Sequence, residues 1–313
     1  MTVEDIDQRV RLATFAWLQE KTALHGEVLA RETLARGFLF DGRRVPLIGP
    51  QGIFKPAVLP EMPLSITTVP IVEGRPRPYD DEIGGEGVLR YRYRRTDPAH
   101  RDNAGLRLAM QRRAPLVYQH GIEPGRYMPH WPVFIVGDDP GRLVFTVQVD
   151  DARMAALDRM ASAESFAVSD PGEEGRRSYV TRLTRQRIHQ QAFRERVLRA
   201  YRERCAICRL RHEELLDAAH ILPDGHPRGK PVVPNGLALC KLHHAAFDRN
   251  FLGIRPDLVV MVRPDLLKEP DGPMLRHGLQ EFHEATILVP GRPALRPNPA
   301  YLEERYAMFK GIA

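Results

Sequence analysis

Apolar positions return every three or four residues at the start of the chain. Val10, Leu12, Phe15 and Leu18, then Val28, Leu29 and Leu34, predict helix from about Asp5 to Gly37, with a break at His25-Gly26. Such an opening suits a packing subdomain better than a helix-turn-helix with a wing. From Pro46 to Pro63 the pattern shifts to short apolar pieces among Pro and Gly, which predicts short strands and turns, and Ser65 to Val72 reads as a strand. Val88 to Tyr93 alternates as a half-buried strand does. Arg101 to Arg113 carries an apolar stripe of Leu106, Met110 and the Leu108–Ala109 pair, and reads as helix. Leu116-Val-Tyr, Val133 to Val136 and Leu143 to Val149 are three further strands between Gly, Pro and Asp turns. Asp138-Asp139-Pro-Gly reads as one of those turns. Several short strands around one helix predict a curved sheet or open barrel. Ser162 to Gly175 is polar and acidic and reads as a linker. Ser178 to Arg204 reads as a long helix with Val180, Leu183, Ile188, Phe193 and Val197-Leu198 as its apolar points.

The chain has 313 residues, room for two or three domains, and 43% of them are hydrophobic, enough to bury a core. No apolar run approaches the roughly 20 residues of a membrane span. The acidic opening Met1-Thr-Val-Glu-Asp lacks the layout of a signal peptide, so a cytoplasmic location is expected. Net charge is +6 and the sequence pI about 9.4, which favours polyanionic partners. The distribution says more than the total. Twelve arginines between Arg176 and Arg211 face only Glu195 and Glu203. Their planar forks suit phosphate contacts, with Arg185, Arg187 and Arg194 as candidates for the DNA backbone; a solvated helix face is the alternative.

The chain has three cysteines, an odd number that argues against a disulfide framework. Cys205-Ala-Ile-Cys208 and Cys240-Lys-Leu-His243 form a C-x2-C pair and a C-x2-H pair. Two such knuckles together offer the four ligands of a tetrahedral structural Zn²⁺. A site closed by four protein ligands has no open position for catalysis.

Between and after the knuckles stand Ala218-Ala-His-Ile-Leu, Asn235-Gly-Leu-Ala-Leu-Cys and His243-His-Ala-Ala-Phe-Asp248. In order and spacing, these resemble the HNH endonucleases, and more narrowly a restriction-type branch of that family. The resemblance covers about 45 residues. It implies a ββα-metal fold, with His220 at a strand end as general base, Asn235 bracing the loop, and His244 on the helix holding a catalytic Mg²⁺ or Mn²⁺. Many HNH enzymes place a metal-binding Asp or His just before the base, where this chain has Ala219. A second metal ligand must then come from elsewhere, with Asp248 first, at i+4 from His244, and Asp217 second.

Tyr79-Asp-Asp-Glu, the bend at Gly84, Gly85 and Gly87, the strand with Tyr91 and Tyr93, the helix from Arg101, and Gly125-Arg-Tyr127 with Trp131-Pro-Val-Phe resemble an SRA (YDG) domain. The order of elements carries this likeness, since Arg126-Tyr-Met-Pro stands where Tyr-Asp-Gly is expected. SRA domains are similar to PUA barrels and hold a flipped modified cytosine. The resemblance implies stacking faces from Tyr79 and Tyr91 or Tyr93, and an acceptor from Asp81 or Glu82. The alternative for each tyrosine is a place in the barrel core with its hydroxyl satisfied.

The expected protein is therefore α+β. An SRA/PUA-like curved β-barrel domain (1–160, with an N-terminal helical part) is joined by a basic helical linker (161–198) to a zinc-stabilised ββα-metal HNH domain with a C-terminal extension (199–313). Its expected function is modification-dependent restriction: hydrolysis of double-stranded DNA near methylated or otherwise modified cytosine. A homodimer would let two nicking modules cut both strands. Two alternatives stay open, an HNH nuclease indifferent to modification and a zinc-stabilised DNA-binding protein without activity.

Overall fold

The computed structural model describes residues 3–70, 88–149, 173–270 and 272–311, and the chain divides into two compact units, residues 1–188 and 189–313. In the first unit, helix α1 (Val3–His25) stops where Gly26 takes a φ of +85°, a left-handed conformation that suits glycine. Strand β1 (Leu29–Ala30), helix α2 (Arg31–Arg36) and the hairpin β2 (Phe38–Phe40) and β3 (Arg43–Val45) follow. Next come β4 (Ile53–Phe54), β5 (Ser65–Thr68), β6 (Val88–Arg92), helix α3 (Arg101–Gln111), β7 (Leu116–Glu123), β8 (Arg126–Asp139) and β9 (Val144–Val149). One sheet runs β4-β5-β7-β8-β9-β6, with β1 added on β8. The β5–β7 pair is parallel and the others antiparallel.

Alternation along these strands divides the apolar residues between two cores, because successive side chains leave a strand on opposite faces. Tyr91, Leu116, Tyr118, Val133 and Phe145 pack inside the curl with Leu106 of α3. Val117, Tyr127 and Trp131 pack on the other face against Leu18, Leu29 and Leu34.

Strand β8 is longer than the expected Val133 to Val136 and runs through Pro129 and Pro132. Register explains why it can. Among the described residues, only β7 pairs with β8 from Met128 to Pro132, since β1 reaches only Arg126 and Tyr127, and β9 begins at Val133. The missing proline N–H groups therefore fall where one edge is unpaired. The expected strand from Ser65 is described only to Pro70, where it ends at Thr68.

Inside the curl lies an ionisable group that no spacing or motif singles out. His130 is 4% exposed, stacks on Tyr118, and its Nε2 has no hydrogen-bond partner among the described residues. Burial, reinforced by the neighbouring His120, pushes its pKa down to about 3. The unfolded chain binds this proton near pH 6.5 and the folded chain resists it. The neutral form thus favours folding above 6.5, and that advantage is lost at about 1.4 kcal/mol per pH unit as pH falls towards 3. His130→Phe is expected to flatten this part of the acid response. Urea midpoints at pH 7 and pH 4.5 check it, and an unchanged difference between the two would exclude His130 as the cause.

Helix α4 (Glu173–Ala200) begins inside the stretch read as a linker, whose residues 162–172 lie outside those described. It ends before Arg204 because Arg202 and Glu203 adopt left-handed φ values of 54° and 53°. Its last turns belong to the core of the second unit through Phe193, Val197 and Leu198, so this unit begins earlier than position 199. There follow β10 (Leu216–His220), β11 (Gly236–Cys240), helix α5 (Lys241–Asp248), β12 (Leu252–Ile254), β13 (Val260–Val262), and helices α6 (Pro264–Lys268), α7 (Pro273–Gly278) and α8 (Pro299–Lys310). The hairpin β10–β11 leads directly into α5, the expected ββα order. No helix among the described residues is long and apolar enough to cross a membrane.

Residues 265–313, whose role the sequence left open, pack on the ββα element. Phe309 seats on Gly253, where a Cβ would lie 2.6 Å from its ring. Arg305 lies 4.7 Å over the Phe247 ring and donates to the Phe247 carbonyl at 2.7 Å, satisfying the C-terminal end of α5. Glu304 accepts from His226 at 3.0 Å and pairs with Arg228, tethering the loop between the two strands.

Candidate functional site

Cys205 and Cys208 sit in a tight turn closed by the Cys205 N–H to the Leu210 carbonyl and the Arg209 N–H to the Cys205 carbonyl. Cys240 ends β11, and His243 lies in the first turn of α5. Their four ligand atoms all fall within 4.8 Å of one another. Cys208 and Cys240 sulfurs are 3.9 Å apart, close to the roughly 3.8 Å edge of a tetrahedron with Zn–S bonds of 2.3 Å. The Nε2–H of His243 donates to the Gly278 carbonyl at 2.9 Å, which fixes the tautomer and leaves Nδ1 facing the Cys240 and Cys205 sulfurs at 3.1 and 3.5 Å. A backbone carbonyl behind a ligand histidine is the support a metal site needs. These residues fit a structural zinc. Crowding shows in the protonation. Hydrogen bonds from Cys208 and Cys240 hold the Cys205 thiol far below its ordinary value, while those with Cys205 and Cys240 push Cys208 up. Burial opposes charge on His243, yet the sulfurs lift it to about 9.

One residue further along α5, His244 points to different partners. Its Nδ1 lies 3.3 Å from Asp217 of β10 and its Nε2 3.2 Å from Asp248 at the end of the helix. Those two hydrogen bonds hold the imidazole protonated to about 9, and they lower Asp217 to about 2 and Asp248 below its usual range. Both candidate carboxylates therefore reach His244, but at opposite edges of the ring. A single cation on one nitrogen can share only one of them. Asp217 is already held by Lys241 at 2.7 and 2.8 Å and is 25% exposed, whereas Asp248 is 54% exposed. A carboxylate–imidazole pair is a hard donor set that suits Mg²⁺ or Mn²⁺.

His220 ends β10, opposite Gly236 in the register. β10 carries both His220 and Asp217, the partner of His244, and burial holds the His220 pKa below the ordinary 6.5. Nε2 is buried without a hydrogen-bond partner among the described residues. Asn235 is fully buried. Its side-chain amide donates to the Leu222 and Lys230 carbonyls, and its Oδ1 accepts from the Leu222 N–H at 2.9 Å. All these contacts lock the chain just after His220.

The remaining candidates are placed differently. Arg194 turns inward, donating to the Glu213 and Leu216 carbonyls at 2.9 Å each and pairing with Glu195, so its guanidinium braces β10. Arg187 pairs with Glu27. Each side chain is 24% exposed. The side chain of Arg185 lies outside the described residues, as do Tyr79, Asp81 and Glu82. Tyr91 and Tyr93 are buried in the core of the curl. The Tyr91 hydroxyl donates to the Thr67 carbonyl at 3.3 Å, while Tyr93 stacks on Phe145 and bonds Asp138. Asp138, read as a turn residue, is thus a core anchor, also gripping Arg107 at 2.6 Å. Both tyrosines nonetheless line a cleft of about 360 Å³ with Gly52, Thr67, Arg92 and Arg94.

Residues 205–255 match the HNH endonuclease family profile. No curated protein matches the chain. Among solved structures, a "Modification dependent TagI restriction endonuclease" is similar at 18% identity and a TM-score of 0.31, over 79% of this chain and 82% of that one.

Proposed function

We propose, from the premise that residues 205–255 are an HNH endonuclease domain, that this DNA endonuclease uses His220, Asn235, His244 and Asp248 for hydrolysis and reads modified cytosine with its first unit. The observation that carries the catalytic part is that one ββα element bears both His220, lowered in pKa by burial, and the His244–carboxylate cluster. Because Nε2 of His220 is sealed, Nδ1 is the nitrogen left to take a proton from the attacking water. Asn235 keeps the chain behind that imidazole from shifting. His244 Nε2 and Asp248 would hold Mg²⁺ or Mn²⁺, with Asp217 orienting the ring from its other nitrogen. The bound cation supplies charge neutralisation at the phosphate and the departing oxygen. Scission of the P–O3′ bond then leaves 5′-phosphate and 3′-hydroxyl ends. Cys205, Cys208, Cys240 and His243 would hold Zn²⁺ and keep the hairpin against α5.

The modification reading rests on the curled sheet, the SRA-like order of elements and the aromatic cleft at Tyr91 and Tyr93. The SRA-like region, the basic helix and the nuclease remain the divisions expected from sequence, with double-stranded DNA as partner and a homodimer, or two visits, to cut both strands. Digestion of one duplex prepared with cytosine, 5-methylcytosine or 5-hydroxymethylcytosine tests it. Modified DNA is expected to be cut at least about 10-fold faster, a difference of about 1.4 kcal/mol. Equal rates on all three would leave a nuclease indifferent to modification.

A further inference from the structure

A neutral histidine base must be aimed as well as neutral, and nothing polar aims this one. No hydrogen bond reaches either ring nitrogen of His220 among the described residues. Asn235 spends its polar atoms on Leu222 and Lys230 and so fixes the backbone but not the rotation about Cβ–Cγ. The contact that does fix the ring comes from α4. Phe193, 2% exposed, lies parallel to the His220 imidazole with ring centroids 4.1 Å apart and planes 18° from each other. Its own place is set from behind, because Val197 and Gly236 hold it. A Cβ at position 236 would come 2.4 Å from a Val197 methyl and 2.9 Å from the Phe193 ring. Gly236 pairs directly with His220 across the hairpin, so the absence of a side chain there is what lets the phenyl ring reach the imidazole.

We propose that Phe193 is a positioning residue for strand cleavage, its ring fixing the plane of the His220 imidazole so that the proton-accepting nitrogen faces the attacking water. This rests on the reading of His220 as the base. A polar brace would favour one protonation state of the ring, whereas a stacked phenyl holds its plane in both. It also excludes water from one face of the imidazole. The residue enters from a helix that precedes the family-matched segment, and residues 205–255 alone therefore lack part of the machinery that aims their base.

The test uses the full chain, Mn²⁺ and 5-methylcytosine-bearing plasmid in single-turnover cleavage. Wild type is compared with Phe193→Leu, Phe193→Met, His220→Ala and the Phe193→Leu/His220→Ala double variant. Zinc content and thermal midpoint report folding, and Phe193→Met, unbranched and adaptable, stands in if the leucine variant folds poorly. Both Phe193 variants are expected to cut about 10–100-fold more slowly at saturating DNA, with DNA affinity unchanged. In the His220→Ala background, Phe193→Leu is expected to cost nothing further, since the group it aims is gone. Wild-type rates in the single Phe193 variants overturn the proposal, and so does a loss carried in full into the His220→Ala background. A His220→Ala variant as fast as wild type would instead overturn the base reading, and this inference with it.

Discussion

Cys205→Ser, or removal of zinc by a strong chelator, is expected to unfold the second unit and abolish cleavage together. The cluster joins the 205–210 turn to the β11–α5 corner, beside the Ala206 N–H to Ala238 carbonyl bond at 2.7 Å. Structural zinc contributes roughly 10–16 kcal/mol in small domains, as large as the stability of a whole domain of this size. Without the ion, three sulfurs and an imidazole remain crowded within 4.8 Å of one another, with charge on Cys205 and His243 inside a mostly buried site. The sulfur of Cys240 ends the strand from which α5 springs, so displacement there moves His244 as well. Far-UV circular dichroism, zinc content by metal analysis, and nicking of plasmid check this. A zinc-free protein that stays folded and cuts normally would remove the structural role assigned to the cluster.

His220→Ala is expected to slow cleavage by roughly 10²–10⁴-fold, the usual contribution of a positioned general base, while zinc content, melting and DNA affinity stay as in wild type. The imidazole is half-buried, so its removal leaves a small void near Phe193 rather than a broken core. Burial already holds the folded pKa below 6.5, which makes the neutral form dominant at pH 7. The wild-type rate is therefore expected to be level near neutrality and to fall only on the acid side of 6.5, as the base takes up its proton. The variant loses that acid limb with its activity. Rapid-quench cleavage between pH 5 and 8 measures both. Wild-type turnover in His220→Ala would leave a nuclease with another base.

Much of the nuclease was legible because its chemistry is local in sequence. C-x2-C and C-x2-H spacings put ligand pairs on single turns, and adjacent His243 and His244 diverge on a helix by simple geometry. The structure adds the Gly278 carbonyl behind His243, a contact between residues 35 positions apart that no spacing rule encodes. In the first unit, alternation revealed the strands, but pairing order and the length of β8 depended on which neighbours lay beside Pro129 and Pro132. Arg194 illustrates the limit of charge counting. The sequence shows a basic helix, but only the fold shows this guanidinium turned to the Glu213 and Leu216 carbonyls.

By itself the sequence determined the ligand types through residue chemistry and spacing, while the ββα order and the roles of the histidines came from its resemblance to the HNH endonucleases. Only the tertiary structure decided which carboxylate meets which nitrogen of His244, that Phe193 covers His220, and that residues 265–313 brace α5. Those outcomes depend on close packing between segments distant along the chain, and the energy of packing is set by surfaces that exist only once the segments have met.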